Sequence, residues 1–215
     1  MIKSVIFDLD GVLVSTDELH YQAWKKLADQ LGIIGFTKED NEKQRGVSRM
    51  ESLEIVLKKG NRTYSEEEKT ELAERKNEFY KEMLQTLDES AVLPGAFDTL
   101  KMLRGKGITI GVGSVSKNTP MILEKTGLSA YIDQVSCGLD ITKSKPDPEV
   151  FLVAAKKLEM PVEECLVVED SAAGIVAAGA AGMKSLGVGP YYHSLGADYE
   201  ATGLDDEIEW DRILV

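Results

Sequence analysis

The chain has 215 residues and carries 25 lysines and arginines against 37 aspartates and glutamates, a formal net charge of −12. That length allows one full hydrophobic core plus an inserted module, and the charge argues against nucleic acid or an anionic membrane as partner while leaving a small anionic substrate open, since a few local cations outweigh a distant field. No apolar run has the length of a membrane span, the N-terminus lacks the form of a secretory signal, and Cys137 and Cys165 have no metal-type spacing, so the expectation is a cytoplasmic protein with Cys165 as a buried free thiol.

In chain order, Val5–Phe7 is a short apolar run of strand character that ends in Asp8-Leu9-Asp10-Gly11. A calcium loop is excluded there, because aligning Asp8, Asp10 and Gly11 with the EF-hand pattern puts Ile6 at the first ligand position. Taken alone, the tetrapeptide reads equally well as a strand-end turn with two solvated acids or as a catalytic pair, an aspartate being a competent nucleophile in phosphoryl transfer. Residues 17 to 87 carry helical patterns and almost no strand signal. The candidate helices are Asp17–Leu31, Arg49–Lys58 and Glu66–Leu87, the last opened by a Ser65-to-Glu68 capping box. Pro94-Gly95 then marks a return to alternating strands and helices. Ile108–Val112, Cys165–Val168 and Ser185–Val188 read as buried strands, and Phe97–Arg104, Met121–Thr126, Glu149–Leu158 and Ala172–Ala181 as helices. The alternation predicts an α/β fold with a doubly wound parallel sheet. Residues 1–16 and 88–215 would form it, with 17–87 as an all-helical cap inserted after the first strand, over the sheet end where ligands bind. The acidic tail Tyr191–Val215 is expected to close the sheet or its edge.

Each strand is followed by polar residues, and the four sets are complementary. Asp8 and Asp10 follow the first. Ser114-Val115-Ser116-Lys117-Asn118 follows the second, offering hydroxyls, N–H groups and a cation at a helix start, which suits a phosphate and equally suits ordinary capping. Lys145-Pro146-Asp147-Pro148 follows the third: Lys145 suits an anionic oxygen or a solvated loop, and Asp147 reads as an N-cap with proline at the first helical position. Glu169-Asp170 follows the fourth. If Asp8, Glu169 and Asp170 converge, each pair at 4 Å repels by roughly 4 kcal/mol at an effective dielectric of 20. Such a cluster needs a cation, and hard oxygen ligands beside a phosphate site favour Mg2+.

The order of these motifs resembles the haloacid dehalogenase superfamily of phosphotransferases, across the whole chain. Asp8 and Asp10 match its first motif, Ser114 its second, Lys145 its third, and Glu169 with Asp170 its fourth. The resemblance implies a Rossmann-like core with a cap. It also implies a phosphorylated Asp8, Asp10 as general acid/base, and Mg2+ held by Asp8, Glu169, Asp170 and the backbone carbonyl of Asp10.

Within the cap, His20, Ala23, Trp24, Leu27 and Leu31 share one face of the first helix at helical spacing. Leu72, Phe79, Met83 and Leu87 form an apolar face on the last cap helix with Lys76 in its middle, a costly place unless the lysine snorkels or finds an anion. Asn77 follows on the flank. Arg45-Gly46-Val47-Ser48-Arg49 is a glycine turn between two arginines, suited to an anion or to a plain inter-helix loop. These residues resemble those of β-phosphoglucomutases: Thr16 as hinge, His20, Trp24, Gly46, Val47, Ser48, Arg49, Ser52, Lys76, Asn77 and the Ser114-to-Asn118 segment. Arg45 departs from the family's usual lysine, keeping the charge and changing its geometry. Ser15 stands where an acid is common.

The resemblance implies a mutase for β-glucose 1-phosphate and glucose 6-phosphate that works through β-glucose 1,6-bisphosphate. Asp8, Ser114 and Lys145 would hold the transferring group. Arg49, Ser116, Lys117 and Asn118 would hold the distal phosphate, and Lys76 and Asn77 the sugar. The rival readings are a sugar-phosphate or phosphoglycolate phosphatase and a non-catalytic phosphosugar-binding protein. A monomer with a small-molecule phosphosugar as partner is expected.

Overall fold

Four residues suffice for the first strand because all of them are apolar or small and all are covered: β1 (Ser4–Phe7) is buried along its whole length. The computed structural model describes residues 1–44 and 47–215. Four helices follow, α1 (Asp17–Gln30), α2 (Lys38–Glu42), α3 (Arg49–Leu57) and α4 (Glu66–Leu84). The chain then runs through α5 (Ala96–Gly105), β2 (Thr109–Gly113), α6 (Thr119–Lys125), β3 (Gln134–Ser136), α7 (Glu149–Lys157) and β4 (Cys165–Glu169). It ends in α8 (Ala172–Ala180), β5 (Lys184–Gly187), β6 (Tyr199–Glu200) and α9 (Trp210–Ile213).

The strands form one sheet in the order β3-β2-β1-β4-β5-β6 with every pairing parallel. This is the doubly wound order read from the alternation of runs. The chain winds outward from β1 to β3, then restarts at β4 on the other side of β1. The crevice between β1 and β4 is therefore the topological switch point, where open α/β sheets bind ligands beyond their carboxyl ends. Register brings the two strand ends level, with Phe7 beside Val168 and the Asp8 N–H donating to the Val168 carbonyl at 2.9 Å. One layer of core joins Ile6 and Val167 of the sheet to Val150, Phe151 and Ala154 of α7 and Ala177 and Ala178 of α8. Helix α5 packs on β2 outside that cluster. The acidic tail closes the sheet's edge through β6, and Leu214 accepts the Ile2 N–H at 3.0 Å.

The chain divides into two compact units, Met1–Ser15 with Asp88–Val215, and Thr16–Leu87. The helical unit has its own core of Trp24, Leu27, Ala28, Phe36, Leu53, Val56, Leu57, Leu72 and Ala73. Its helix starts are chemically specified: Ser65 with Glu68 and Ser48 with Glu51 each form a reciprocal capping box.

Several expectations shift. Helix α2 was not foreseen. On α4 the buried face is Leu72, Ala73, Lys76, Asn77, Tyr80 and Leu84, whereas Phe79 and Met83 are half-buried. The stripe steps by four from Leu72 through Lys76 to Tyr80 and Leu84, so the face anchored on Phe79, Met83 and Leu87 was rotated. Asp147 does not take the N-cap of α7, which belongs to Pro148; the Asp147 carboxylate accepts the Glu149 N–H at 3.1 Å. Cys137 and Cys165 are free and buried, and burial pushes the Cys165 thiol up to about 11. Among the described residues no helix is long and apolar enough to cross a membrane.

Candidate active site

The adjacency of β1 and β4 brings three acids together. Oxygens of Asp8, Glu169 and Asp170 all lie within 4.8 Å of one another, and all three residues are buried. Lys145 enters this cluster from the segment after β3, just before a cis peptide to Pro146, and is 4% exposed. Its Nζ donates to Asp8 Oδ1 at 2.5 Å and to Glu169 Oε1 at 2.6 Å, and lies 4.8 Å from the centre of the Phe151 ring. The loop-lysine alternative is thus removed. Burial disfavours the charge on Lys145, but the carboxylates of Asp8 and Glu169 outweigh it and hold the ammonium above its ordinary value. For Asp8, burial outweighs the attraction of Lys145, and with repulsion from Glu169 it pushes the carboxyl up to about 7. Three carboxyls around one ammonium leave excess negative charge in the cluster. Hard oxygen donors in excess of their counter-charge fit a divalent cation.

Asp10 is half-buried on the turn after β1, close enough for its charge to be felt at Asp8. Its carboxylate is not part of the three-acid group of Asp8, Glu169 and Asp170. The turn depends on Gly11, which has φ +85°, and a β-carbon there would lie 2.1 Å from Asp170 Oδ2. The Asp170 carboxylate therefore rests against the turn backbone.

Ser114 follows β2, the other neighbour of β1, and is buried, with its N–H on the Ser136 carbonyl at 3.0 Å. Its Oγ accepts the Ser116 N–H at 3.2 Å, and Ser116 Oγ accepts the Asn118 N–H at 3.2 Å. Asn118 occupies the N-cap of α6 without a side-chain capping bond and is buried. The two serines therefore hold the loop. Ser116 is half-buried and Lys117 is exposed.

In the helical unit the structure gathers Thr16, His20, Trp24 and Lys76 around one residue that sequence reasoning missed, Tyr80. Lys76 is 3% exposed, so it does not snorkel. Its Nζ lies 2.8 Å from His20 Nδ1 and 4.7 Å from the ring centres of both Trp24 and Tyr80. His20 stacks on Tyr80 with centroids 4.1 Å apart, and burial, then the charges of Lys76 and Arg49, hold its pKa well below the usual histidine range. A neutral ring facing an ammonium accepts through Nδ1 and carries its proton on Nε2. The Tyr80 hydroxyl donates to Thr16 Oγ1 at 3.1 Å, fastening the first residue of the unit to α4. The four-residue step from Lys76 to Tyr80 was the signal that could have found it.

Arg49 and Asn77 open into one groove of about 550 Å³ between α3 and α4. Burial draws the Arg49 guanidinium below its ordinary value, opposed by Glu74 and Glu78. Ser52 is buried on α3, and Val47 half-buried before it. Arg45 and Gly46 lie outside the described residues.

A buried carboxylate trio with a lysine at the carboxyl ends of a doubly wound sheet, and a helical unit inserted after the first strand, define a class. The chain belongs to the haloacid dehalogenase-like hydrolase family, whose model matches residues 5–188. Within that family its similarity runs to the β-phosphoglucomutases. It is 41% identical over 199 residues to the β-phosphoglucomutase of Bacillus subtilis (strain 168), covering 92% of this chain and 88% of that protein. The crystal structure of β-phosphoglucomutase from Clostridium difficile matches with a TM-score of 0.90 at 38% identity, covering 99% of this chain and 96% of that one. A phosphorylated carbohydrates phosphatase of Thermotoga maritima is 28% identical over 188 residues, 86% of this chain and 84% of that protein.

Proposed function

We propose that the protein is a phosphosugar mutase that interconverts β-D-glucose 1-phosphate and glucose 6-phosphate. The observation that carries this reading is the pair of buried lysines. Lys145 serves the nucleophile, and Lys76, tied to His20 in the helical unit, belongs to a separate recognition set for which a core-only hydrolase has no use. The 41% identity to a β-phosphoglucomutase, against 28% to the phosphatase, points the same way.

In the cycle, phosphorylated Asp8 donates its phosphoryl group to a sugar hydroxyl, and Asp10 takes the hydroxyl proton as the new P–O bond forms. The aspartyl P–O bond breaks and the Asp8 carboxylate is released. The resulting β-glucose 1,6-bisphosphate turns over, Asp8 attacks the other phosphorus, and Asp10 returns the proton to the departing sugar oxygen. Lys145 and Ser114 steady the transferring group. Arg49, Ser116, Lys117 and Asn118 take the distal phosphate, and Lys76, Asn77 and His20 the sugar. Asp8, Glu169, Asp170 and the Asp10 carbonyl would hold Mg2+, which would supply positive charge to offset that of the carboxylates and the phosphoryl group.

The test is to supply β-glucose 1-phosphate, Mg2+ and a trace of the bisphosphate. Glucose 6-phosphate supports the mutase, free phosphate the hydrolase, and neither product a binding protein. Asp8→Asn is expected to abolish turnover and the phosphoenzyme together, and near-normal turnover in that variant would refute the covalent step.

A further inference from the structure

Glu169 is 1% exposed, and both of its oxygens are engaged. Oε1 accepts from Lys145 Nζ at 2.6 Å. Oε2 accepts from the Ser171 N–H at 2.6 Å and from the Ser171 hydroxyl at 2.8 Å. That hydroxyl in turn accepts the Gly174 N–H at 3.1 Å, capping α8. Gly174 completes the arrangement by lacking a side chain: a β-carbon there would lie 2.0 Å from Glu169 Cδ and 2.1 Å from Oε1. The crowded oxygen is the one that holds Lys145. Ser171 and Gly174 therefore form a socket into which only one placement of the Glu169 carboxylate fits. The consequence passes along a single line of neighbours, from the socket to Glu169, from Glu169 to the Lys145 ammonium, and from Lys145 to Asp8 Oδ1 at 2.5 Å.

We propose that Ser171 and Gly174 are positioning residues for phosphoryl transfer: by locking Glu169 they fix the Lys145 ammonium on Asp8 Oδ1, so that the nucleophile is presented in one orientation. The proposal rests on the mutase reading for its turnover readout, but its spectroscopic readout does not. Neither residue touches the reacting atoms. With Glu169 mobile, Lys145 keeps only Asp8 itself as a fixed partner, and the electrostatic stabilisation it offers is no longer preorganised.

A purely structural role makes the opposite prediction. The β-carbon of Gly174→Ala would then cost stability by crowding Glu169, while kcat and the Lys145 signal stayed unchanged. Glycine is nearly as good an N-cap as serine, so Ser171→Gly would then be silent. The experiment compares Gly174→Ala, Ser171→Gly and Ser171→Thr with the parent protein in two ways. The first is kcat and KM for β-glucose 1-phosphate. The second is the 1H–15N signal of the Lys145 ammonium in protein freed of divalent cations. The expected result is a kcat loss of about 10- to 100-fold in Gly174→Ala and Ser171→Gly, with KM changed by less than about 3-fold, the effect typical of displaced outer-shell partners. The Lys145 signal should shift or broaden in the same two variants, and Ser171→Thr, which keeps the hydroxyl, should restore both readouts. An unmoved Lys145 signal in Gly174→Ala would overturn the proposal, as would losses that track the melting temperature and ignore the hydroxyl. If the parent protein makes no glucose 6-phosphate, the mutase reading fails while the Lys145 signal still decides the socket.

Discussion

Replacing Lys76 with methionine separates what the helical unit needs for stability from what it needs for chemistry. The Lys76 ammonium makes a charged hydrogen bond to His20, in the class worth about 1.5–3 kcal/mol. It also lies over two aromatic rings, each worth up to about 2 kcal/mol when desolvated. Those attractions total at most about 5–7 kcal/mol. Against them stands the desolvation of an ammonium that is 3% exposed, itself several kcal/mol. The two sides nearly cancel, and methionine keeps the volume of the stem while burying no charge. Stability should therefore change by no more than about 2 kcal/mol in either direction, a shift of about 4–8 °C for a chain of this size. Activity should respond differently. Removing one charged hydrogen bond to the sugar corresponds to a fall of about 10- to 150-fold in kcat/KM. Thermal melting and the coupled glucose 6-phosphate assay, run on the same preparations, check both halves. A melting temperature lowered by more than about 15 °C, with normal turnover in the fraction that stays folded, would show that Lys76 is structural and refute the reasoning.

Three further outcomes follow from the geometry. Gly11→Ala places a β-carbon 2.1 Å from Asp170 Oδ2 at φ +85°, so Mg2+ affinity measured by calorimetry should fall by at least about tenfold, with backbone strain of about 1–2 kcal/mol in the melt. Asp8, raised from 3.8 to about 7, favours the folded state most below pH 3.8, and that contribution is lost as the pH rises through 7. Cation binding must displace the proton that Asp8 keeps up to about pH 7, so Mg2+ affinity should increase from pH 5 to about pH 7, with proton release visible as a buffer-dependent heat. His20 is shifted the other way. Its contribution to stability is present above the ordinary histidine value of 6.5 and is lost as the pH falls below it, and His20→Asn should flatten that part of the pH–melting curve.

The buried carboxylate trio was legible in the sequence because it depends on strand ends, and strand ends are marked by abrupt changes from apolar to charged residues. Val5–Phe7 into Asp8 and Cys165–Val168 into Glu169-Asp170 are two such changes, and parallel pairing of adjacent strands did the rest. Elements without that contrast were not legible. Helix α2 has no apolar residue to set a period and is held by the Thr37–Asp40 box and by Lys59 on Asp40 at 2.6 Å. Strand β6 is two residues long. The Lys76 environment was half legible: a lysine on an apolar face signalled an unusual partner, but the spacing pattern suggested an anion, and the structure sets a neutral imidazole and two aromatic faces beside it. Nothing in the spacing of Ser171 and Gly174 announced a socket, because that depends on which way one glutamate side chain turns.

The net charge of −12 and the proposed anionic substrate are reconciled by where the cations are. Among the described residues, Lys76 and Lys145 are the buried basic side chains, one in each unit. Exposed lysines and arginines such as Lys38, which faces Glu18, and Arg62, which faces Glu68, pair with acids of their own surface, and their fields are screened within about 10 Å of salt solution. The two buried ammonium groups sit where water screens them little, so each would act more strongly on a neighbouring anionic oxygen than a surface lysine does. A charge in such a place is costly unless its surroundings are fixed, and the surroundings differ in kind. Lys145 is held by carboxylates that bear negative charge of their own, so it is matched to a nucleophile and to the charge that moves through it. Lys76 lies against the His20 ring and the faces of Trp24 and Tyr80, which orient its ammonium through polarity and quadrupole. A net negative chain and an anionic substrate are therefore compatible under the proposed function, because an ammonium fixed inside each unit would attract a small phosphosugar.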